Sequence, residues 1–296
     1  MATQSQMIRR QAVEGWIFIL PILIGTIVFS FFPVGYSLLA SFSKWDGIHP
    51  PQFIGLQNYI KLVVGDKYFL LAVKNTFVFT FTNVPISLAL GLALAILANK
   101  AARLKNLYRT AFFAPSVTST VAIALVWGLI YSPSNGLLND ALSVFGIPGP
   151  DWLGTSRWAM TGVVIVQVWF ISGYNMVIYL AGLQGISPSY YESAEIDGAT
   201  PLQKLVHITI PLLSPTSFFL LITSIITSFQ VFNLIYVMTQ GGPGYATTVY
   251  IHYMYLNAFN YFKMGYASTM AWILFIVLAG ITLFQWKMQK RWVHYE

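Results

Sequence analysis

The stretch "YYESAEIDGATPLQKLVHITIPLLSP", residues 190–215, stands apart from the chain around it. The 296 residues include nine acidic ones, and three of these, Glu192, Glu195 and Asp197, fall within six positions. Local start and stop signals accompany them. Ser187 can cap a helix with Pro188 in its first turn, Ser189-x-x-Glu192 offers a second capping choice, and Gly198 can close the helix in a left-handed conformation. Thr200-Pro201 repeats the cap-plus-proline start, and Pro211 is expected to stop a second short helix. The expected unit is helix, glycine bend, helix. Glu192 and Glu195 fall on one side of the first helix, with Asp197 at its end, an acidic knob suited to a basic cleft on another protein.

The rest of the chain is apolar. It is 56% hydrophobic and 8% charged, with a mean hydropathy of +0.66, whereas soluble domains carry about a quarter charged residues. Windows free of charge run from Gly15 to Ser43, Asn75 to Asn99, Thr110 to Asn139, Trp158 to Tyr191, Leu205 to Phe262 and Met264 to Trp286. A helix crossing roughly 30 Å of hydrocarbon needs about 20 such residues. Pro211, Pro215 and "GGPG" at 241–244 limit the long fifth window to one span. The expected fold is all-α and membrane-integral, a single transmembrane domain over 1–296. Its six spans are expected near 15–41, 71–98, 110–131, 157–182, 214–238 and 265–287, with the helix–bend–helix loop, 187–215, between the fourth and fifth.

With the N-terminus inside, the inner flanks hold ten Lys and Arg (Arg9, Arg10, Lys100, Arg103, Lys105, Arg109, Lys204, Lys287, Lys290 and Arg291). The outer flanks hold six: Lys44, Lys61, Lys67, Lys74, Arg157 and Lys263. That bias places both termini in the cytoplasm. The net charge of +7 is then topological, and no folded soluble face exists to bind nucleic acid. The first apolar run is too long for a cleaved signal peptide and reads as an anchored helix. Trp45, Trp152, Trp158, Trp286 and Trp292 lie near span ends, as interfacial aromatics do. Pro33, Pro85 and Pro115 are expected to kink their spans.

Catalytic signatures are missing. No glycine-rich loop ends in Gly-Lys-Ser/Thr, so nucleotide hydrolysis by the P-loop route is excluded. His49, His207, His252 and His294 lack metal-ligand spacing and read as surface or interface residues, and there is no cysteine. No acid or histidine falls within a span core, which argues against proton-driven transport and against an intramembrane protease. Neutral polar groups do occur at depth. Span five carries Thr223, Ser224, Thr227, Ser228 and Gln230 on one side by spacing; span four offers Gln167, with Tyr174 and Asn175; span three begins with Ser116 and Thr118. They could be interhelical hydrogen bonds worth about 0.6 kcal/mol each. Together they suit a route for a neutral, hydroxyl-rich solute, which a stand-alone secondary carrier or channel would also explain.

The loop narrows the choice. "ESAEIDGATPLQKLVHITIPLLSP" resembles the coupling motif of ABC importer membrane subunits through Glu192, Ala194, Asp197, Gly198, Ala199, Ile208, Pro211 and Pro215. Ser193 replaces the usual alanine and Leu205 the usual phenylalanine. "FIGLQNY" at 53–59, "NTFVFT" at 75–80, "FFAPSV" at 112–117 and "TQGGPGYAT" at 239–247 resemble the maltose-type and glycerol-3-phosphate-type sugar permeases, especially the first of their two paired subunits, in a compact six-helix form. The resemblance implies a prokaryotic plasma membrane, a second similar permease, two ATPase subunits that bind ATP and Mg, and an extracytoplasmic sugar-binding protein. The chain itself would bind no cofactor. Glu192, Ala194, Glu195, Asp197, Gly198, Ala199 and Pro211 would serve ATPase coupling, with Glu192 meeting a basic residue of the ATPase and Gly198 forming the bend. Ser224, Thr227, Ser228 and Ser116 match sugar-contact positions, while Gln167, Asn175 and Gln230 join the path on polarity alone.

Overall fold

The computed structural model describes residues 4–100 and 105–293 of the chain. Among the basic flank residues, the side chains of Arg9, Arg10, Lys100, Arg103, Lys105 and Arg291 lie outside the described set, as do those of Trp292 and His294. Among the described residues the fold is almost wholly helical, and the one sheet there pairs Ser43 with Phe53 and Lys44 with Gln52 in antiparallel register. Among the described residues, four helices are long and apolar enough to cross a membrane: Gln11–Ser41, Lys67–Asn99, Ala159–Gly185 and Met264–Lys290. Two bent pairs raise the number of candidate spans to six, Leu107–Val117 with Thr120–Ile130 at 99° and Pro201–Leu212 with Ser214–Phe229 at 64°.

The chain divides into two compact units. The first comprises Met1–Gly65 and Met254–Phe275, the second Asp66–Tyr253 and Ile276–Glu296. In the first unit, the strongly apolar helix Gln11–Ser41 buries none of its most hydrophobic window, and Phe18 and Phe29 are more than four-fifths exposed. A helix apolar all round and unburied is matched to lipid or to another apolar surface. Its end is tied down by polar contacts: Asn58 donates to the Ser41 and Ser43 carbonyls at 3.0 Å each, Tyr59 meets the Ser41 hydroxyl at 2.8 Å, and Thr269 donates to the Ser41 carbonyl at 2.9 Å.

In the second unit, the helices Lys67–Lys100 and Ala159–Gly185 pack along most of their length. One apolar cluster joins Phe79 to Ile123, Val163, Val166 and Leu234; another joins Ala95 and Ala98 to Met176, Leu180, Leu183 and Leu220. Small residues permit the approach: a Cβ on Gly91 would stand 2.5 Å from the Asn175 Cβ. Gly173 likewise lets its helix touch the Phe112 carbonyl, so that "FFAPSV" lies directly on the 159–185 helix.

Three expectations are corrected. Span three is not one helix: Pro115 heads a 3-10 turn, Thr118 and Ser119 are extended, and the chain turns by 99°. Span five ends its helix at Phe229, and a second short helix, Asn233–Met238, follows a break at the non-helical Phe232. Pro211 does not halt the helix before it. A π turn, Leu205–Thr209, widens the backbone just ahead of a residue with no N–H to give, and helix continues through Leu212. The helix that contains Pro85 runs continuously from Lys67 to Lys100.

Two side chains are also more deeply placed than their types suggest. Trp152 is buried, stacked on Tyr131 at 5.4 Å, with its indole N–H on Asn139 at 2.8 Å. His252 is 1% exposed against Phe232 and Tyr236, and burial pushes its pKa below the ordinary value.

Candidate functional site

Two polar regions of the second unit stand out, an exposed loop at 187–213 and a buried seam on the 67–100 helix. The loop begins at Ser187, whose hydroxyl accepts from the Ser189 amide at 3.4 Å, with Pro188 opening the helix Pro188–Ile196. At the far end the Ala199 amide donates to the Ala194 carbonyl at 2.8 Å and the Gly198 amide to the Glu195 carbonyl at 3.0 Å. This is a Schellman closure, and it requires the left-handed Gly198, φ +74°. Nothing lies within 4 Å of a Cβ built there, so the backbone conformation alone selects glycine.

Thr200 then starts the second limb with a full capping box. Its hydroxyl accepts from the Gln203 amide at 3.3 Å, while its own amide donates to the Gln203 side chain at 2.7 Å. The choice offered by Ser189-x-x-Glu192 is not taken. Two ties hold the limbs together across the bend: the Lys204 ammonium meets Glu195 at 2.5 Å, and the Tyr191 and Thr209 hydroxyls lie 3.0 Å apart. Glu192 and Asp197 remain exposed, while Ala194, Ala199 and Pro211 are half-buried. Glu192 and Glu195 edge a cleft of about 380 Å³ beside Asn99, and Asp197 and Gly198 edge another of about 330 Å³ beside His207.

The seam uses Thr76, Thr80, Asn83 and Ser87, spaced by four, three and four along one face of the 67–100 helix and all at most 2% exposed. Asn83 donates to the Ser228 hydroxyl at 2.9 Å, and its side-chain oxygen has no protein partner among the described residues. The Thr80 hydroxyl, one turn earlier, is likewise unpartnered. Asn175, fully buried on the 159–185 helix, has neither amide atom satisfied. Leaving such a group unpaired in an apolar interior costs about 1–3 kcal/mol.

The other polar residues of the spans fall in different places. Ser224 and Ser228 are buried, but Thr227 is exposed and bonds the carbonyls of Thr223 and Ser224, and Gln230 is exposed just past the helix end. The single polar side inferred from spacing therefore splits. At about 100° per residue Thr227 sits roughly 60° from Ser224, and helical spacing no longer governs Gln230. Gln167 is half-buried, and Ser116 turns back to the Phe113 carbonyl at 2.7 Å. Asn83 and Thr80 were absent from the sequence-derived path, although polar spacing at 76, 80, 83 and 87 in an apolar span was there to be found.

Two motif segments far apart in sequence meet at the start of the 67–100 helix. Asn75 donates to the carbonyls of Tyr245 and Thr248 at 2.9 and 3.0 Å, and the Tyr250 amide donates to Thr76 at 2.8 Å. The "TQGGPGYAT" turn braces itself through Thr239 and Thr247 at 2.7 Å and through Thr248 on the Gly241 carbonyl at 3.0 Å. Gly241 takes φ +81°, and a Cβ there would meet Thr248 and His252.

The chain is similar over nearly its full length to named transport proteins. It is 37% identical to the probable ABC transporter permease protein YesP of Bacillus subtilis (strain 168), covering 99% of this chain and 96% of that one. It is 34% identical to the trehalose/maltose transport system permease protein MalF of Thermococcus litoralis, covering 94% of each. Among solved structures, a chain of a bacterial alginate ABC transporter in complex with an alginate pentasaccharide-bound periplasmic protein superposes with a TM-score of 0.85 at 25% identity, covering 97% of both. Residues 75–289, which include both the loop and the seam, match the binding-protein-dependent transport system inner membrane component family, and to that family of ABC transporter permeases the chain belongs.

Proposed function

We propose that this chain is the membrane-spanning permease subunit of an ATP-driven importer that translocates a sugar or oligosaccharide delivered by an extracytoplasmic binding protein. In this reading the four long helices and two bent pairs form six spans, both termini are cytoplasmic, and residues 190–215 dock an ATPase subunit. The observation that carries it is the loop: a Schellman-closed, doubly tied helix pair that leaves Glu192 and Asp197 exposed in a chain of otherwise apolar helices. Closure of an ATPase around such a rigid body transmits as rotation, because the bend cannot absorb it.

A second, similar permease completes the pore, and two ATPase subunits supply ATP hydrolysis with Mg. Ser116, Gln167, Asn175, Ser224, Thr227, Ser228 and Gln230 line the path, now joined by Asn83 and Thr80, whose unpartnered polar atoms suit a hydroxyl-bearing guest. The relatives that name a trehalose/maltose system and an alginate-bound partner support saccharide as the solute class.

Reconstitution into vesicles tests the reading. Uptake is expected only when an ATPase partner and ATP are present, and transport by the chain alone would establish the secondary carrier or channel instead. Within the complete system, Gly198→Val is expected to abolish most ATP-driven uptake, since a side chain at positive φ costs about 1–2 kcal/mol. Glu192→Ala is expected to weaken ATPase retention. Normal uptake in both variants would remove the docking role.

A further inference from the structure

The first unit holds a basic cavity that the transport reading does not use. It measures about 500 Å³ and is walled by Lys44, Trp45, Asp46, Lys61, Lys263 and Tyr266 among others. Its position is set by the two apolar helices that border it. Gln11–Ser41 ends three residues before Lys44, and Met264–Lys290 begins one residue after Lys263. Both helix ends are bound into one corner, by Thr269 on the Ser41 carbonyl and by the Gly265 amide on the Trp45 carbonyl at 3.1 Å. With both helices spanning the bilayer, as proposed above, the cavity lies at the level where they leave the hydrocarbon.

Its charge is not spent internally. None of the three lysines pairs with a carboxylate among the described residues. Instead the Lys61 ammonium lies 5.7 Å from the Tyr266 ring centroid and that of Lys263 lies 5.4 Å from Tyr261, contacts that position an ammonium without neutralising it. The one carboxylate in the wall, Asp46, is engaged elsewhere: it accepts from the Ile48 and His49 amides at 3.0 and 2.9 Å and meets the His49 ring at 2.6 Å. Phe262 lines the cavity and is exposed, and Ile48 and Phe53, each next in the chain to a lining residue, are exposed too, an apolar fringe.

We infer that this cavity binds the phosphate headgroup of an anionic phospholipid, with Lys44, Lys61 and Lys263 around the phosphate and the apolar fringe beside the start of the acyl chains. Ammonium groups at interfacial depth attract anionic lipid, and aromatic rings favour the same level. The inference rests on the two bordering helices crossing the bilayer and not on the solute carried. Failure of uptake with intact lipid retention would therefore count against the transport reading alone.

The test uses the full chain, with whatever subunits accompany it, in nanodiscs of equal parts phosphatidylglycerol and phosphatidylcholine. Lipid retained after transfer to mild detergent is read by native mass spectrometry. Phosphatidylglycerol is expected to be retained over phosphatidylcholine. Lysine beside an anionic surface contributes about fivefold each, so the triple variant K44Q/K61Q/K263Q is expected to retain at least about tenfold less. The charge-preserving K44R/K61R/K263R is expected to restore retention, which separates loss of charge from loss of fold. Equal retention of both lipids, or no change in the glutamine variant, would overturn the inference. Free glycerol phosphate is expected not to displace the lipid, and displacement would reassign the cavity to a soluble phosphate. A glutamine variant that keeps its phosphatidylglycerol but no longer recruits an acidic binding protein would make the cavity a protein-docking surface instead.

Discussion

The 187–213 loop and the seam on the 67–100 helix are two polar regions of the second unit, and they treat their polar groups in opposite ways. In the loop nearly every group is satisfied locally, by caps, by the Schellman closure and by the Glu195–Lys204 tie, and the unused carboxylates of Glu192 and Asp197 face outward. In the seam the groups are buried, and Asn83, Thr80 and Asn175 each keep at least one atom without a protein partner. Local satisfaction makes a rigid body that another protein can push. Buried insufficiency suits the proposed binding of a polar guest, whose arrival would remove a penalty.

The largest expected effect lies under the seam. A side chain at Gly91 would meet the Asn175 Cβ at 2.5 Å and backbone atoms of 175–176 at 3.2–3.3 Å. Gly91→Leu should therefore force the 67–100 and 159–185 helices apart, at a cost of about 3 kcal/mol or more. Thermal unfolding in detergent would register it as a large fall in Tm; an unchanged Tm would mean that this contact does not hold the unit together.

Asn83→Leu separates guest binding from packing. Branching is kept, one hydrogen bond is lost and the two methyl groups add bulk at a buried site, so stability should fall by about 1–3 kcal/mol. Uptake should fall about tenfold, the equivalent of roughly 1.4 kcal/mol of lost guest contact. Equal amounts of assembled complex, measured alongside, keep the two readouts distinct. Full uptake would return the seam to plain interhelical packing and erase the contrast with the loop.

The smallest effect should come from the loop's own ion pair. Glu195 is 67% exposed at its side chain, so Glu195→Gln should cost no more than about 1 kcal/mol, and less as salt is raised. Uptake should stay within about twofold of the parent. A loss as deep as that of Gly198→Val would show that the cross-bend tie, and not the glycine, sets the loop's geometry.

Much of the loop was legible because its signals are local. Ser187-Pro188, Gly198 and Thr200-Pro201 each fix the conformation of the few residues around them, and the helix boundaries follow. The π turn at Leu205–Thr209 was not legible, because it carries no residue signature and answers to Pro211 and to the 64° bend beyond it. The proposed polar path was only partly legible. Hydroxyls and amides in span five were visible as types, but which of Ser224, Thr227 and Ser228 turn inward depends on the neighbours that the helix acquires. Asn83 gains its importance from a partner 145 positions away.

The sequence by itself determined that this is an apolar, helical, membrane-embedded chain with one polar helix–bend–helix insertion, because hydropathy, proline position and glycine's tolerance of positive φ act over a few residues each. Only the tertiary structure decided which polar groups are satisfied and which are stranded. It joined "NTFVFT" to "TQGGPGYAT" through Asn75 and Thr76, set Asn83 on Ser228, and gathered Lys61 with Lys44 and Lys263, which flank two helices more than 200 residues apart in the chain, around one cavity. Partnership is a property of distance in space, which no local pattern of residues encodes.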